Sequence, residues 1–209
     1  MQAFATLLDS LSTTQSRNRK TALLAKYFRE TPSPARGYAL SALTDGLPPS
    51  LIGRLPLRRM LAELTSRFID PVLYKLSRDY VGDTAETVAL LWPDTRGARA
   101  NAEPTLDNVI AQMRTGTTAE RTETLGRLLD RLDTSGRWAL LKLLGGAPRV
   151  GVSARLAKQA LAEAFGHEVD AIEELWHALE PPYTDLFDGF EGRAPKPDPG
   201  SKPVFRPVM

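Results

Sequence analysis

Hydrophobic residues recur at intervals of three and four along almost the whole chain. The spacing is clear in segments 4–11, 23–28 and 118–132, where it places leucines and aromatic residues on one face of a helix. β-Branched residues are scattered and do not alternate with polar ones, so the pattern predicts no strand. We therefore expect an all-α fold of many helices.

Polar residues and prolines mark where these helices begin and end. Ser33-Pro34 and Asp70-Pro71 are each typical of an N-cap followed by the first helical residue, and Asp83 is expected to cap a helix that Pro93 stops. Further helices are predicted at 34–46, 105–114, 118–132, 134–144, 154–165, 168–180 and 183–190.

The chain divides into a helical part and a tail. Residues 1–190 are expected to form one helical domain, and the polar segment 95–102 predicts a seam between two lobes near 93–104. Residues 191–209 are rich in proline and glycine and are predicted to be an irregular linker.

Composition restricts the chemistry. With 42% hydrophobic residues, the 209-residue chain can bury a substantial core. It contains no cysteine, which excludes disulfides and thiolate metal sites and favours a reducing cytoplasm. The chain has two histidines, His167 and His177, which are few candidates for a zinc site or for a Ser-His-Asp triad. No apolar run approaches the roughly 18 residues of a membrane span, so we expect a soluble protein with no membrane partner.

Charge is distributed unevenly. The net charge is +2, but residues 1–60 contain nine Lys and Arg against three acids and carry +6, which leaves −4 for the remainder. One basic part on a nearly neutral chain is typical of a protein that meets a polyanion with one face, and Arg17, Arg19 and Lys20 cluster there. The alternative is that these cations form an ordinary solvated helix face.

A glycine-rich turn at 143–153 carries the most specific chemistry. We expect Gly145 to end the preceding helix in the left-handed conformation and Ser153 to cap the next one. Gly146 and Gly151 also let the backbone approach a ligand closely, and free N–H groups at the start of a helix attract an anion. Arg149 is expected to contact a phosphate or enter a minor groove. The alternative is a plain connector between two helices.

A related pattern occurs about 70 residues earlier. Segments 81–84 and 150–153 both read V-G-x-[TS] at the start of a predicted helix. Two such turns could face the two phosphate ridges beside a minor groove, with Thr84 and Ser153 capping their helices or contacting phosphate oxygen. On the alternative interpretation both are merely capped helix starts.

Several motifs occur in the order found in a known family. Segment 145–151 resembles its G-x-x-R-[IV]-G turn, segment 16–28 its basic second helix and segment 79–89 its GD-x-x-E turn. Segments 176–187 and 203–209 resemble the bacterial branch of that family. The chain as a whole resembles the N-terminal DNA-binding domain of bacterial ATP-dependent DNA ligases.

This resemblance implies non-sequence-specific binding of duplex or nicked DNA through the minor groove and the phosphate backbone, in DNA repair, replication or recombination. It also implies a two-lobed helical fold. The residues expected to contact DNA are Gly145, Gly146, Arg149, Gly151, Ser153, Arg155, Lys158, Gly82, Thr84, Arg17, Arg19 and Lys20. Arg155 and Lys158 are expected on the exposed side of their helix, where they would extend the contact.

The catalytic lysine of the family is not found in this sequence. The family forms a lysyl-adenylate in a K-x-D-G motif, and the nearest candidates, Lys196 and Lys202, lie in the proline-rich tail, which offers no pocket to lower a lysine pKa. We therefore expect no catalytic or metal-binding residue here. ATP and Mg would belong to a nucleotidyltransferase domain beyond the linker, which would act with this chain in cis or in trans.

The expected assembly and location follow from the same interpretation. A monomer in the cytoplasm, associated with the nucleoid, would suit a chain that grips DNA. The competing hypothesis is a helical protein-interaction module without nucleic-acid binding, in which the basic N-terminal part is only a solvated surface.

Overall fold

A computed structural model describes residues 1–94, 103–146, 148–176 and 179–195, and the regular elements within these ranges are all helices. They are α1 Gln2–Thr13, α2 Arg17–Glu30, α3 Ala35–Thr44, α4 Pro49–Ile52, α5 Leu57–Phe68, α6 Pro71–Val81, α7 Thr84–Leu91, α8 Leu106–Arg114, α9 Thr118–Asp130, α10 Thr134–Leu144, α11 Ala154–Phe165, α12 Val169–Trp176 and α13 Thr184–Phe190. The all-α prediction is confirmed. None of these helices combines the length and apolarity needed to cross a bilayer.

Helices from both sides of segment 95–102 share one hydrophobic core. The most extensive packing joins α2 to α11, while α10 packs against both α1 and α7. Further along, α4 packs on α8 and α5 packs on α9. Helices before and after the predicted seam at 93–104 therefore contribute to the same core. Residues 95–102 themselves lie outside the described ranges, and the division into two lobes stays a prediction.

A buried arginine connects three helices at the centre of this core. Arg137 of α10 is 2% exposed. Its guanidinium donates hydrogen bonds to the carbonyls of Leu129 at 2.8 Å, Trp92 at 3.1 Å and Pro93 at 3.4 Å. The Trp92 and Pro93 carbonyls lie just after the end of α7, and the Leu129 carbonyl lies in the last turn of α9. One side chain therefore joins the C-terminal ends of two helices. The neighbouring Trp138 is only partly buried.

Most predicted helix starts are confirmed by side-chain caps. Asp70, Asp83 and Ser153 each accept a hydrogen bond from a backbone N–H three residues later. The prediction for Ser33 is wrong, because Pro34 occupies the N-cap position of α3. The Ser33 hydroxyl instead accepts a hydrogen bond from Nε of Arg36 at 3.1 Å.

Two helices and one helix end were not predicted correctly. The sequence interpretation assigned nothing to α4 and α5, although the buried Met60, Leu61 and Leu64 of α5 have helical spacing. The helix predicted at 168–180 is described as helical only to Trp176, and residues 177–178, which include His177, lie outside the described ranges.

A second buried arginine attaches α13 to the core. Arg36 is 1% exposed and forms a bidentate pair with the Glu191 carboxylate, with N···O distances of 2.7 and 2.6 Å. The same guanidinium donates to the carbonyl of Phe28 and lies 4.3 Å from the ring centroid of Phe187. Since an unpaired buried charge is costly, α13 is held where Glu191 can reach Arg36.

Glu191→Gln is expected to destabilise the protein by about 1–2 kcal/mol at neutral pH, because a charge-assisted hydrogen bond is lost at a partly exposed site. Hydrogen bonds from Arg36 hold the pKa of Glu191 below its ordinary value. Its contribution is therefore present above the unfolded-state pKa of about 4.3 and lost as pH falls through the folded-state pKa.

Chemical denaturation of wild type and variant at a series of pH values measures this contribution. The difference in unfolding free energy should shrink towards zero in acid. Glu163→Gln, an exposed position on α11, serves as the matched control and should have little effect. A difference that stays constant from neutral to acidic pH would contradict the assignment.

Candidate functional site

A groove of about 760 Å³ opens where α5, α6 and the start of α7 meet the end of α10. It is lined by Leu57, Arg58, Leu61, Ala62, Thr65, Tyr74, Arg78, Gly82, Asp83, Thr84, Ala85, Leu141, Lys142, Gly145, Gly146 and Arg149. We call it the cationic groove. It brings together two turns far apart in the chain: the Gly82 turn, residues 82–84, and the Arg149 turn, residues 145–146 and 148–151.

The charges of this groove are mostly positive. Among its described lining residues are four cations, Arg58, Arg78, Lys142 and Arg149, and one carboxylate, Asp83. Lys142 Nζ lies 2.6 Å from Oδ2 of Asp83. Burial opposes ionisation of Asp83, but hydrogen bonds from Lys142 and from the backbone of Glu86 prevail and keep its pKa below the ordinary value. Asp83 is therefore a fixed negative charge at neutral pH.

The Gly82 turn ends one helix and begins the next as predicted, and its two polar residues have separate roles. Gly82 ends α6 in the left-handed conformation, with φ of +78°. Asp83, and not Thr84, caps α7 by accepting from the backbone N–H of Glu86. Thr84 instead accepts a hydrogen bond from Nε of Arg78 at 2.8 Å. Asp83 therefore caps α7 as predicted, and of the two roles expected for Thr84, helix capping is wrong. The Thr84 hydroxyl instead orients a groove arginine.

The two V-G-x-[TS] segments have a similar backbone conformation at glycine, but the residue that caps the following helix lies at a different position in each. Gly151 has φ of +69°, close to that of Gly82, so both glycines take the left-handed conformation. Ser153 caps α11 as predicted, by accepting from the backbone N–H of Leu156. The cap lies two residues after the glycine here and one residue after it in the Gly82 turn.

The Arg149 turn differs from its prediction at the first glycine. Gly145 is right-handed, with φ of −83°, so the expected left-handed cap at Gly145 is wrong. The left-handed residue is Gly146, with φ of +106°, and a Cβ added there would meet none of the described atoms within 4 Å. The surface of the turn is therefore open to a ligand at Gly146.

Arg149 occupies a strained backbone position at the edge of the groove. Its φ is +38°, a region that non-glycine residues rarely adopt and that costs about 1 kcal/mol or more. The residue is exposed, whereas its neighbours Pro148 and Val150 are buried. The two buried neighbours anchor the turn and leave the guanidinium facing outward.

Lys20 supports this turn from α2. Its Nζ donates to the carbonyl of Val150 at 2.7 Å and is 3.4 Å from that of Gly151. The sequence predicted that Lys20 contacts DNA, but in the structure its ammonium is hydrogen-bonded to the backbone of the Arg149 turn. Lys20 therefore positions the turn.

A basic band continues from the turn along α2 and α11. Arg17 is exposed and donates to Oε1 of Gln159 at 3.1 Å. Arg155 is exposed as predicted and lies four residues before Gln159, hence on the same face of α11. Arg17 and Arg155 thus lie close together beyond the Arg149 turn.

Two predicted contact residues lie apart from this band. Arg19 is exposed, but it is two residues from Arg17 and so projects from a different side of α2. The side chain of Lys158 is only 13% exposed, lies 3.9 Å from Glu173 and sits 5.1 Å from the ring centroid of Trp176. The prediction that Lys158 is on the exposed side of its helix is wrong.

Sequence reasoning missed three of the four groove cations. Arg58 was assigned no role from the sequence, because α5 itself was not predicted. Lys142 lies one helical turn before Gly145, and Arg78 lies one turn before Gly82. Helical spacing back from each glycine was the signal that could have found both residues.

An all-α domain with a cationic groove between two helix-end turns is a fold suited to an anionic partner. Residues 1–162 match the family model described as DNA ligase N terminus. The chain therefore belongs to that family, the N-terminal domain of ATP-dependent DNA ligases. The matched residues include the whole cationic groove and the Arg149 turn. A comparison with curated proteins found no match.

Proposed function

We propose that this chain grips duplex or nicked DNA, without sequence preference, as the DNA-binding part of an ATP-dependent DNA ligase. The observation that carries the proposal is the cationic groove, in which the Gly82 turn and the Arg149 turn line one concave surface. Membership of the ligase family makes a nucleic acid the natural anion for this surface.

The charges and the open backbone suit phosphate rather than a base edge. Arg58, Arg78, Lys142 and Arg149 supply cations, which contact phosphates of any sequence. Gly146 leaves its surface free for close approach. The N-terminus of α7 is capped by the side chain of Asp83. We therefore assign phosphate contact there to the side-chain cations and not to free helix N–H groups.

The basic band gives the DNA a route beyond the groove. Arg149 lines the groove, and the next residue, Val150, is bound by Lys20 of α2. Arg17 and Arg155 follow on the paired surfaces of α2 and α11. A duplex that places one phosphate strand in the groove could place the other along this band, with Arg149 between them at the minor groove.

In this proposal the chain aligns the two ends of a nick and does not itself form the phosphodiester bond. Sealing a nick requires its 3′-hydroxyl and 5′-phosphate to be kept in line, and a domain that grips both sides of the break supplies that constraint. We assign the adenylation chemistry, with its ATP and Mg, to a catalytic core acting with this chain in cis or in trans. The sequence here contains no K-x-D-G lysine.

The isolated chain is expected to bind nicked and intact duplexes of unrelated sequence with similar affinity at low salt. If about five phosphates are neutralised, the logarithm of the binding constant should fall against the logarithm of salt concentration with a slope of about −4 to −5. Fluorescence polarisation with labelled duplexes across a salt series measures this slope. An affinity that does not change with salt concentration, or no binding at low ionic strength, would favour the alternative of a protein-interaction module without nucleic-acid binding.

Arg149→Gly is expected to weaken DNA binding by about 1–3 kcal/mol, because the guanidinium at the edge of the groove is lost. Arg17→Ala should have a smaller effect, since Arg17 lies on an exposed helix and already contacts Gln159. Glycine adopts positive φ without strain, so Arg149→Gly should be at least as stable as wild type.

Thermal unfolding of the same samples separates the two roles of this turn. Arg149→Ala is the matched variant, because it loses the same charge and keeps the backbone strain. If both variants retain wild-type affinity while stability changes, the turn is a structural connector and the site assignment fails.

Asp83→Asn is expected to strengthen DNA binding severalfold, because it removes the one carboxylate among the described residues that line the groove and releases Lys142 for phosphate. Asparagine is as good an N-cap as aspartate, so α7 should remain formed. One more available cation should make the salt slope steeper by about 0.9. Asp170→Asn, at an exposed position on α12, is the control. Weaker or unchanged binding by Asp83→Asn would show that Lys142 does not meet phosphate.

A further inference from the structure

α6 is a helix with an uncovered apolar face. None of its eleven residues, all within the described part of the chain, is fully buried. Its Val72, Leu73, Leu76 and Tyr80 are 67%, 49%, 65% and 93% exposed, and Leu90 of α7 beside them is 56% exposed. We call these five residues the α6 face. Contiguous exposed apolar side chains of this size mark an interaction surface.

The α6 face is separate from the cationic groove. Behind it lies an apolar groove of about 290 Å³, lined by Leu76, Ser77, Tyr80, Val81, Thr87, Leu90 and Leu91. Tyr74 and Arg78, on the other flank of α6, line the cationic groove. α6 is therefore a ridge with a cationic groove on one side and an apolar groove on the other, and a partner on the α6 face leaves the cationic groove accessible.

We propose that the α6 face is covered by the α6 face of a second copy of this chain, with the two α6 helices antiparallel. Val72, Leu76 and Tyr80 are spaced by four and form one stripe. A two-fold axis at Leu76 places Leu76 against its own copy and Val72 against Tyr80 of the second copy. The stripe is thus complementary to itself, as an isologous interface requires.

The charges beside the stripe also complement themselves. Lys75 and Asp79 are exposed and lie on the same edge of the stripe. In an antiparallel pair the same edges of the two helices face each other, so Lys75 lies about half a turn from Asp79 of the second copy, within reach of its long side chain. The contact occurs twice by symmetry. An all-acidic or all-basic edge would instead have repelled a second copy.

The size of the surface suits a weak dimer. Five large side chains that are about half exposed or more present apolar area on the order of 500 Å². A standard interface buries about 800 Å² on each partner. The apolar area therefore approaches what a dimer needs once the polar edge is included. This assembly goes beyond the proposed DNA grip and differs from the monomer expected from the sequence.

Sedimentation velocity of the full chain without DNA, from low micromolar to submillimolar concentration, tests the proposal. Wild type should pass from monomer to dimer, and Leu76→Glu should weaken the dimer by at least about tenfold. Because Leu76 is mostly exposed, circular dichroism should show an unchanged fold. Glu163→Lys, a charge change at an exposed position on α11 away from the α6 face, should leave the dimer intact.

A charge exchange identifies the occupant as a second copy in this orientation. Lys75→Asp alone should weaken the dimer, because two aspartates then face each other, and Lys75→Asp combined with Asp79→Lys should restore it. A wild-type chain that stays monomeric throughout the concentration range overturns the proposal and leaves the face to a different protein. A dimer insensitive to Leu76→Glu, or a double variant that fails to recover, overturns the assigned interface. DNA binding by the monomer would be unaffected in each case.

Discussion

The guanidinium of Arg137 is the interaction on which the candidate site depends. It sits near the start of α10 and binds carbonyls just after the end of α7, while Lys142 near the end of α10 pairs with Asp83 at the start of α7. The two helices are therefore antiparallel and joined at both ends. Because the Gly82 turn precedes α7 and the Arg149 turn follows α10, this pairing brings both turns to the same groove.

Some of the cations of this protein make internal contacts, and others line the groove. Of the nine cations in residues 1–60, Arg36 is buried with Glu191 and Lys20 is bound to the backbone of the Arg149 turn. Three of the four groove cations, Arg78, Lys142 and Arg149, come from the part of the chain with net negative charge. The unequal charge of the two parts therefore indicated an anionic partner but not the surface that binds it. The groove cations are better identified by their position one helical turn before a glycine that ends a helix.

The sequence predicted most of the helices because apolar spacing and caps report local structure. The predictions were wrong where contacts between helices decide which side chains are buried. In α10 Arg137 is buried while its neighbour Trp138 is only partly buried, since carbonyls of α9 and of the residues after α7 accept from the guanidinium. Lys158 was predicted on the exposed side of α11, yet it is covered by Trp176 and Glu173 of the next helix.

The candidate site was predicted in part for the same reason. Gly82, Gly146 and Arg149 stand out in the sequence as turn residues, but only packing reveals that they share one groove. The exchange of roles between Gly145 and Gly146 is a shift of one residue at a helix end, which spacing alone does not resolve.

Hydrogen–deuterium exchange with and without a nicked duplex tests most directly whether the two turns act as one DNA-binding surface. Peptides containing Gly82 and peptides containing Arg149 should gain protection together at the same DNA concentration, while those covering α12 should not change. Protection confined to one turn, or to helices remote from the groove, would contradict the account.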